Sequence, residues 1–232
     1  MARDTVPAAP ARPLRRDAEL NRRRIIDAAR VVFGSRGLEA TLDDIAHYAG
    51  LGVGTVYRRF PGKEQLVEAM FAERMDEIRA LAEQALEAAD PWQGFVDFTW
   101  QAAELHADDR GLREVMLSNV FGHEQVAEAK ARLVPMITKV VERAQRSGQL
   151  RADFVPTDLP LIHQMIGSVI EYTHVTQTHV WKRCLALLLD GLRAEPGKAS
   201  ELPYPPLDLQ SLDDAMCNFR LPRSGDRSGI PR

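Results

Sequence analysis

Small, hydroxyl, phenolic and guanidinium side chains crowd together between residues 52 and 63. Thr55, Tyr57, Arg58 and Arg59 follow one another closely, and Lys63 comes shortly after. Hydroxyl, phenol and cationic groups bind phosphate oxygens, and arginine also pairs with the guanine edge in the major groove. These residue types indicate a surface that contacts nucleic-acid backbone and base edges. The predicted contact set is Thr41, Gly52, Val53, Gly54, Thr55, Tyr57, Arg58, Arg59 and Lys63.

Two short helices joined by a tight turn would present this surface. Thr41 precedes Asp44 by three residues, an arrangement that caps a helix N-terminus, although the Thr41 hydroxyl can instead face a phosphate. Gly50 stands where a helix ends in a left-handed residue, and the second helix begins near Gly52 and stops before Pro61. The first helix has one apolar stripe, formed by Leu42, Ile45, Ala46 and Ala49. The pattern predicts a DNA-reading helix-turn-helix.

This stretch resembles the helix-turn-helix of the TetR family of bacterial transcriptional regulators. The residues that match the family pattern are Thr41, Ile45, Ala46, Ala49, Gly50, Gly54, Thr55, Tyr57, Phe60, Lys63 and Leu66. Residues 22–37 are similar to the family's first helix, so the resemblance in specific motifs covers residues 22–66. It implies a homodimeric regulator without enzymatic activity. It also implies a repressor that an unknown small-molecule effector releases from a near-palindromic double-stranded DNA operator.

Three positions depart from the family pattern. Gly52 stands where the family usually has a serine or threonine cap, so it offers no hydroxyl to a phosphate. Arg59 replaces a histidine or tyrosine and is expected to keep a phosphate contact. Val53 replaces a polar or basic side chain, and two interpretations stay open for it. It contacts a thymine methyl group, or it packs on Leu51 or faces solvent.

Composition and charge agree with a DNA-binding protein. Residues 1–63 carry more basic than acidic side chains, whereas the whole chain has a formal net charge of −3, so the remainder is acidic. A basic end on an acidic body suits a protein that docks DNA at one end. Cys184 and Cys217 lie far apart, which argues against a disulfide framework. We expect no secretory leader, no membrane span and a cytoplasmic location.

Helical periodicity continues beyond the motif and predicts an all-α fold of about nine helices. We expect a flexible arm over residues 1–16, a DNA-binding domain over 17–62, an effector-binding and dimerisation domain over 63–194, and a largely disordered tail over 195–232. Only residues 207–219 of that tail have enough apolar side chains to dock as a short helix. Pro135 should kink or break the helix in which it lies. The predicted helices after the motif cover residues 63–89, 92–107, 112–120, 124–146, 158–174 and 178–194.

The last two long helices have apolar stripes that are either ordinary core or a dimer interface. In the family, the corresponding pair forms a four-helix bundle with its two-fold mate. A single helix-turn-helix also binds weakly, and dimers read half-sites about 34 to 36 Å apart. Both arguments favour the dimer, and the predicted interface is Leu159, Ile162, Ile166, Val169, Val180, Cys184, Leu187, Leu188 and Gly191.

Aromatic and thioether side chains in the middle helices suggest an enclosed effector pocket. The same composition is also usual for a helical core, and both interpretations stay open. Buried polar members would be the more informative ones, because a buried polar group needs a partner. The predicted lining is Trp92, Phe95, Phe98, Trp100, Met116, Asn119, Phe121, Met136, Met165, Glu171 and Tyr172.

Other chemistry finds less support in the sequence. His163, Glu171, His174 and His179 lie within a short span, but no two of these histidines have the spacing of a helical zinc motif, so we predict no metal and no cofactor. No nucleophile elbow or phosphate loop marks a catalytic site. Two alternatives remain: an architectural DNA-binding protein without an effector, and a helical small-molecule binder or enzyme that retains a vestigial DNA-binding part.

Overall fold

The computed structural model of the chain describes residues 12–108, 123–173, 179–194 and 202–218. These ranges fold into α-helices, one short 3-10 helix at Gly37–Glu39 and a single isolated antiparallel bridge between Leu150 and Arg193. The all-α prediction is confirmed. The helices are α1 (Arg12–Arg36), α2 (Leu42–Ala49), α3 (Val53–Arg59), α4 (Lys63–Glu87), α5 (Pro91–Asp108), α6 (His123–Arg146), α7 (Asp158–Thr173), α8 (Val180–Leu192) and α9 (Leu209–Asn218).

The first hydrophobic core, here called the head core, joins α1, α2 and α3 to the first half of α4. Ile25 and Phe33 of α1, Ile45 of α2 and Val56 of α3 are each completely buried in it. Helix α4 contributes a further stripe that lies beyond the predicted domain boundary at residue 62. That stripe is Leu66, Val67, Met70 and Phe71.

The second core, here called the body core, is built on the other half of α4. Ala82 and Ala85 of α4 pack with residues of α5, α6, α7 and α8. Helix α4 is therefore one uninterrupted helix of 25 residues, about 37 Å long, that belongs to both cores. Any rotation of α4 that is imposed in the body core must also move the residues that it contributes to the head core.

Ion pairs tie α1 to the middle of α4, where the two cores meet. Arg22 pairs with Glu73, and Arg30 lies 3.4 Å from the Glu77 carboxylate. Glu77 also accepts a 2.7 Å hydrogen bond from the largely buried Arg74. These carboxylates are only partly exposed, so the pairs are screened less than surface pairs and hold α1 and α4 together.

The helix bounds agree closely with the predicted ones, with two differences. Helix α1 begins at Arg12, inside the segment expected to be a flexible arm, and it runs well ahead of its first buried residue, Ile25. Helix α6 continues through Pro135 without ending. The predicted helix over residues 112–120 lies outside the described residues.

Two further expectations concern the tail and membranes. The short tail helix expected within residues 207–219 is present as α9, with Leu212 buried. No helix in the described ranges combines the length and apolar character needed to cross a bilayer.

Candidate nucleic-acid interface

A capping box begins α2, as the spacing of Thr41 and Asp44 predicts. The Thr41 hydroxyl accepts a 3.1 Å hydrogen bond from the Asp44 backbone N–H, and the Thr41 N–H donates to the Asp44 carboxylate at 2.9 Å. Hydrogen bonds from Thr41 and the nearby Arg36 guanidinium lower the pKa of Asp44. Thr41 is exposed, but in this free state its hydroxyl also donates to Asp44 at 2.8 Å. A phosphate contact by this hydroxyl would have to compete with that bond.

The turn between α2 and α3 depends on Gly50. This residue has φ +63° and ψ +36°, the left-handed conformation that a glycine adopts without steric cost. The Leu51 N–H then reaches back to the Ala46 carbonyl at 3.0 Å, and Arg24 of α1 donates to the Ala49 carbonyl at 2.9 Å. The end of α2 is thus closed by its own turn and by α1, and these contacts set the angle at which α3 leaves the head core.

Helix α3 divides cleanly into a buried and an exposed side. Val56 is fully buried and Phe60 is 5% exposed, so these two residues anchor the helix. Val53 is 43% exposed, which leaves its side chain available to a partner. Thr55 is half-buried, and the other predicted contact residues of α3 and its cap are exposed: Gly52, Gly54, Tyr57, Arg58 and Arg59. The structure therefore presents most of the predicted set on one side of one short helix.

The packing of the protein does not require a glycine at position 54. A Cβ atom built on this glycine would meet no atom within 4 Å, and its φ is not in the positive range. The packing of the protein therefore gives no steric reason for a glycine at this position, and the open space leaves room for another molecule to approach the backbone.

Tyr57 faces a carboxylate on the neighbouring helix. The negative charge of Asp43 in α2, together with its hydrogen bond to the phenol, raises the pKa of Tyr57. The phenol is therefore held against α2 in the free state, with its ring 45% exposed to a partner. Lys63 is half-buried and is the first residue of α4, where the positive end of the helix dipole attracts an anion.

The predicted effector-lining residues fall into four groups. Trp92, Phe95 and Phe98 are buried, and their rings fill the body core: Phe95 lies 5.7 Å from both Trp92 and Phe154, measured between ring centroids. Trp100 and Met136 are half-buried at the edge of this core. Met116, Asn119 and Phe121 lie outside the described residues.

The fourth group, which is exposed, requires a correction. Met165 is 50% exposed, Tyr172 is 91% exposed, and Glu171 is exposed as well. All three project from the outer surface of α7, because the residues of this helix that face the body core are Leu159, Ile162 and Ile166. In a single protomer, Met165, Glu171 and Tyr172 do not line an enclosed pocket.

The predicted dimer face is corrected in the same way. Leu159, Ile162 and Ile166 are at most 6% exposed within the protomer, so they have almost no side-chain surface left for a partner. The exposed apolar stripe of α7 is Leu161, Met165 and Tyr172 instead. Sequence reasoning missed Leu161 because α7 is apolar on two faces, and periodicity does not say which face is inside.

The stripe predicted on α8 is placed differently. Leu187 is 62% exposed and Gly191 is exposed, with open space where a Cβ would be. Val180, Cys184 and Leu188 are half-buried, as is Val169 of α7. Helix α8 therefore exposes Leu187 and Gly191 on its outer side, where Arg183 and Asp190 are exposed as well. We define the outer face as Leu161, Met165, Tyr172, Leu187 and Gly191.

The histidines do not form a metal centre in the described part of the chain. Glu171 and His179 are exposed, whereas His163 is half-buried, and His174 lies outside the described residues. Within the described ranges, no group of three or more histidine, cysteine or acidic side chains is placed to hold a metal ion.

An all-α chain with an amino-terminal helix-turn-helix of this geometry defines the class of helical DNA-binding regulators. Residues 25–70 match the family model described as bacterial regulatory proteins of the tetR family. Residues 90–194 match a second model, described as the C-terminal domain of SbtR-like transcriptional regulators. Together the two matches span well over half of the chain, and the chain belongs to the TetR family of bacterial transcriptional regulators.

Individual relatives agree with this assignment. The regulator SrpR of Pseudomonas putida is 30% identical over 146 residues, which cover 60% of this chain and 68% of SrpR. The repressor KstR2 of Rhodococcus jostii is 23% identical, covering 74% of this chain and 90% of KstR2. A TetR regulatory protein of Mycobacterium vanbaalenii, known from its crystal structure, is 32% identical with a TM-score of 0.57, covering 78% of this chain and 99% of that chain.

Proposed function

We propose that the chain is a homodimeric, cytoplasmic repressor that binds a near-palindromic DNA operator and is released from it by a small-molecule effector. The observation that carries the proposal is the exposed side of α3, where Gly54 leaves space that the protein does not fill. Residues 12–62 together with the first half of α4 form the DNA-binding unit in this proposal. The rest of the body core serves dimerisation and effector binding.

Each predicted contact residue has a proposed role. Tyr57, Arg59 and Lys63 bind phosphates, and Thr41 joins them when its hydroxyl leaves Asp44. Val53, Thr55 and Arg58 lie near base edges. Gly52 and Gly54 allow the helix to approach the groove closely.

The dimer would place two α3 helices in successive major grooves. Its proposed interface is the outer face of α7 and α8, because this face is apolar and no part of the described protomer covers it. Exposed apolar side chains that cluster on one face are typical of a protein interface. The half-buried Val169, Val180, Cys184 and Leu188 lie at its inner edge.

Helix α4 is the proposed route from effector to operator. This single helix contributes residues to both cores, and its Glu73 and Glu77 form ion pairs with α1. An effector bound in the body core that tilts α4 would therefore change the separation of the two heads. A coupling free energy of about 1 to 3 kcal/mol would lower operator affinity by roughly 5 to 150-fold.

The operator proposal is tested by selecting bound duplexes from a random DNA pool. A salt titration of binding to the most enriched duplex follows. We expect one near-palindromic site bound by a dimer at least ~10³-fold more tightly than random DNA. Enrichment of no sequence, with affinity that simply collapses as salt rises, would indicate an architectural DNA-binding protein instead.

Replacing Arg58 by alanine is expected to change sequence preference, at a cost of about 1 to 3 kcal/mol for the preferred base pair. Lys63→Ala is the matched comparison, because it removes a cation that contacts only phosphate and should weaken all sequences about equally. Binding isotherms on the selected operator and on single-base variants distinguish the two. If Arg58→Ala keeps the wild-type ranking of these variants, Arg58 does not read a base.

Enlarging Gly54 is expected to separate stability from DNA affinity. Gly54→Ala should raise the free energy of unfolding by about 0.5 to 1 kcal/mol, because alanine favours the helix and meets no protein atom. Operator affinity should fall in the order Gly, Ala, Val, by about tenfold or more at valine, a difference of at least ~1.4 kcal/mol. Urea unfolding and operator titrations of the same samples measure both effects. An unchanged affinity at valine would place Gly54 away from DNA.

A further inference from the structure

One histidine at the body core has a buried ring nitrogen that makes no hydrogen bond. His163 lies on α7, and its ring hydrogen-bonds to the Thr99 carbonyl of α5. Its Nε2 has almost no exposed surface and no hydrogen-bond partner. Because Nε2 makes no hydrogen bond, we assign the bond to Thr99 to Nδ1–H. Buried polar atoms in native proteins are nearly always paired, so this nitrogen calls for an explanation.

The nearest described groups do not supply the missing donor. Thr99 is fully buried, and its hydroxyl already donates to the Phe95 carbonyl at 2.8 Å. Ile162 and Ile166, on either side of His163 along α7, are core side chains without polar atoms. The ring of His106 on α5 is a close polar neighbour, with its centroid 6.4 Å from that of His163 and the planes tilted by 31°. It makes no hydrogen bond to Nε2 of His163.

The protonation state of His163 decides what it can bind. Burial lowers the pKa of His163 to about 4, so the ring is neutral at physiological pH. With Nδ1 carrying the proton, Nε2 has a lone pair and acts only as an acceptor. It therefore fits an O–H or N–H donor. A carboxylate would need a protonated imidazole, which the burial of this ring disfavours.

We propose that His163 Nε2 anchors the effector, and that the effector is an uncharged, largely apolar molecule carrying a hydroxyl or N–H donor. The proposal rests on the proposed function, because it gives a ligand chemistry to the effector site of that function. The aromatic side chains of the body core, Phe95, Phe98 and Trp100, provide the apolar surroundings that such a molecule requires. The donor on the ligand would supply the hydrogen bond that Nε2 of His163 lacks.

Matched ligand sets test this chemistry directly. The probes are dodecanol, dodecanoate and dodecyl methyl ether, and naphthol, naphthoate and methoxynaphthalene, each titrated against the full chain with the thermal midpoint Tm as readout. Within a set, only the head group changes. We expect the alcohol to bind wild type about tenfold more tightly than the ether in at least one set, and the carboxylate to bind no better than the ether.

Two variants test whether a preference for the alcohol over the ether comes from His163. His163→Phe keeps an aromatic ring but removes the acceptor, so alcohol and ether should bind it equally. His163→Gln retains an acceptor oxygen and should keep most of the preference. The proposal is overturned if neither set shows an alcohol preference in wild type, or if His163→Phe keeps it. Stabilisation by Zn²⁺ alone that is lost in both His163→Gln and His106→Gln would overturn it in favour of a metal site.

Operator binding without any probe separates this inference from the proposed function. The His163 variants should bind the selected operator as wild type does, because His163 lies in the body core and not in the head core. If wild type binds no specific operator, the proposed function fails. If operator binding is intact and no head-group preference appears, only the effector chemistry proposed here fails.

Discussion

Replacing Leu187 by lysine should convert the dimer to monomers and weaken operator binding at least ~100-fold, because a single helix-turn-helix retains little more than non-specific affinity. Leu187 is 62% exposed in the protomer, so lysine fits the folded monomer without strain. In the dimer the same side chain would bring a charge into an apolar interface, where desolvation opposes it. The loss of affinity should therefore come from assembly and not from unfolding.

Sedimentation velocity and operator titration on the same samples measure this effect, with circular dichroism as the check on folding. Leu209→Lys is a matched control, since Leu209 on α9 is 52% exposed and is not one of the outer-face residues. It should leave both the dimer and operator affinity unchanged. A Leu187→Lys protein that stays dimeric would show that the two copies meet elsewhere.

Wild type should lose up to about 3 kcal/mol of unfolding free energy as the pH falls from about 6.5 to about 4, owing to His163. The folded-state pKa of this imidazole is lowered from 6.5 to about 4 by burial. Between pH 6.5 and about 4, the imidazole of His163 therefore binds a proton in the unfolded chain but not in the folded protein. This contribution to stability is fully present above pH 6.5 and is lost as the pH falls through that window.

Urea unfolding of wild type and His163→Gln, at one protein concentration and several pH values between 7 and 4.5, isolates this contribution. The variant has no imidazole at this position, so the difference in stability between the two proteins should change steadily with pH. The ring of His106 lies next to that of His163, so His106→Gln is the necessary second comparison. A wild-type-minus-variant difference that does not vary with pH would mean that the folded state protonates His163 as readily as the unfolded chain does.

The local chemistry of the helix-turn-helix could be predicted from sequence because its signals are short-range. The capping pair of Thr41 and Asp44 and the left-handed Gly50 depend on residues within one or two helical turns. The apolar stripe of α2 was predicted by spacing alone, and its Leu42, Ile45 and Ala46 are buried. A single-sequence pattern is most informative where one turn of helix determines the outcome.

The faces of α7 could not be predicted, because the deciding contacts are long-range. This helix has Leu159, Ile162 and Ile166 on one side and Leu161, Met165 and Tyr172 on another. Both sets have helical spacing, and only the packing of α5 and α8 against the first set distinguishes them. Sequence could not reveal the unused nitrogen of His163 for the same reason. Which nitrogen is unused depends on the hydrogen bond to Thr99, more than sixty residues earlier in the chain.

Helix α4 also constrains how the protein can come apart. Its residues Leu66 and Met70 are fully buried against Ile25 and the other members of the head core, while Ala82 is fully buried in the body core. A fragment that ended at residue 62 would leave the head core open to water. Melting either core would fray the helix on which the other is built. The protein should therefore denature in one cooperative transition, and proteolysis should not release a stable DNA-binding fragment that lacks α4.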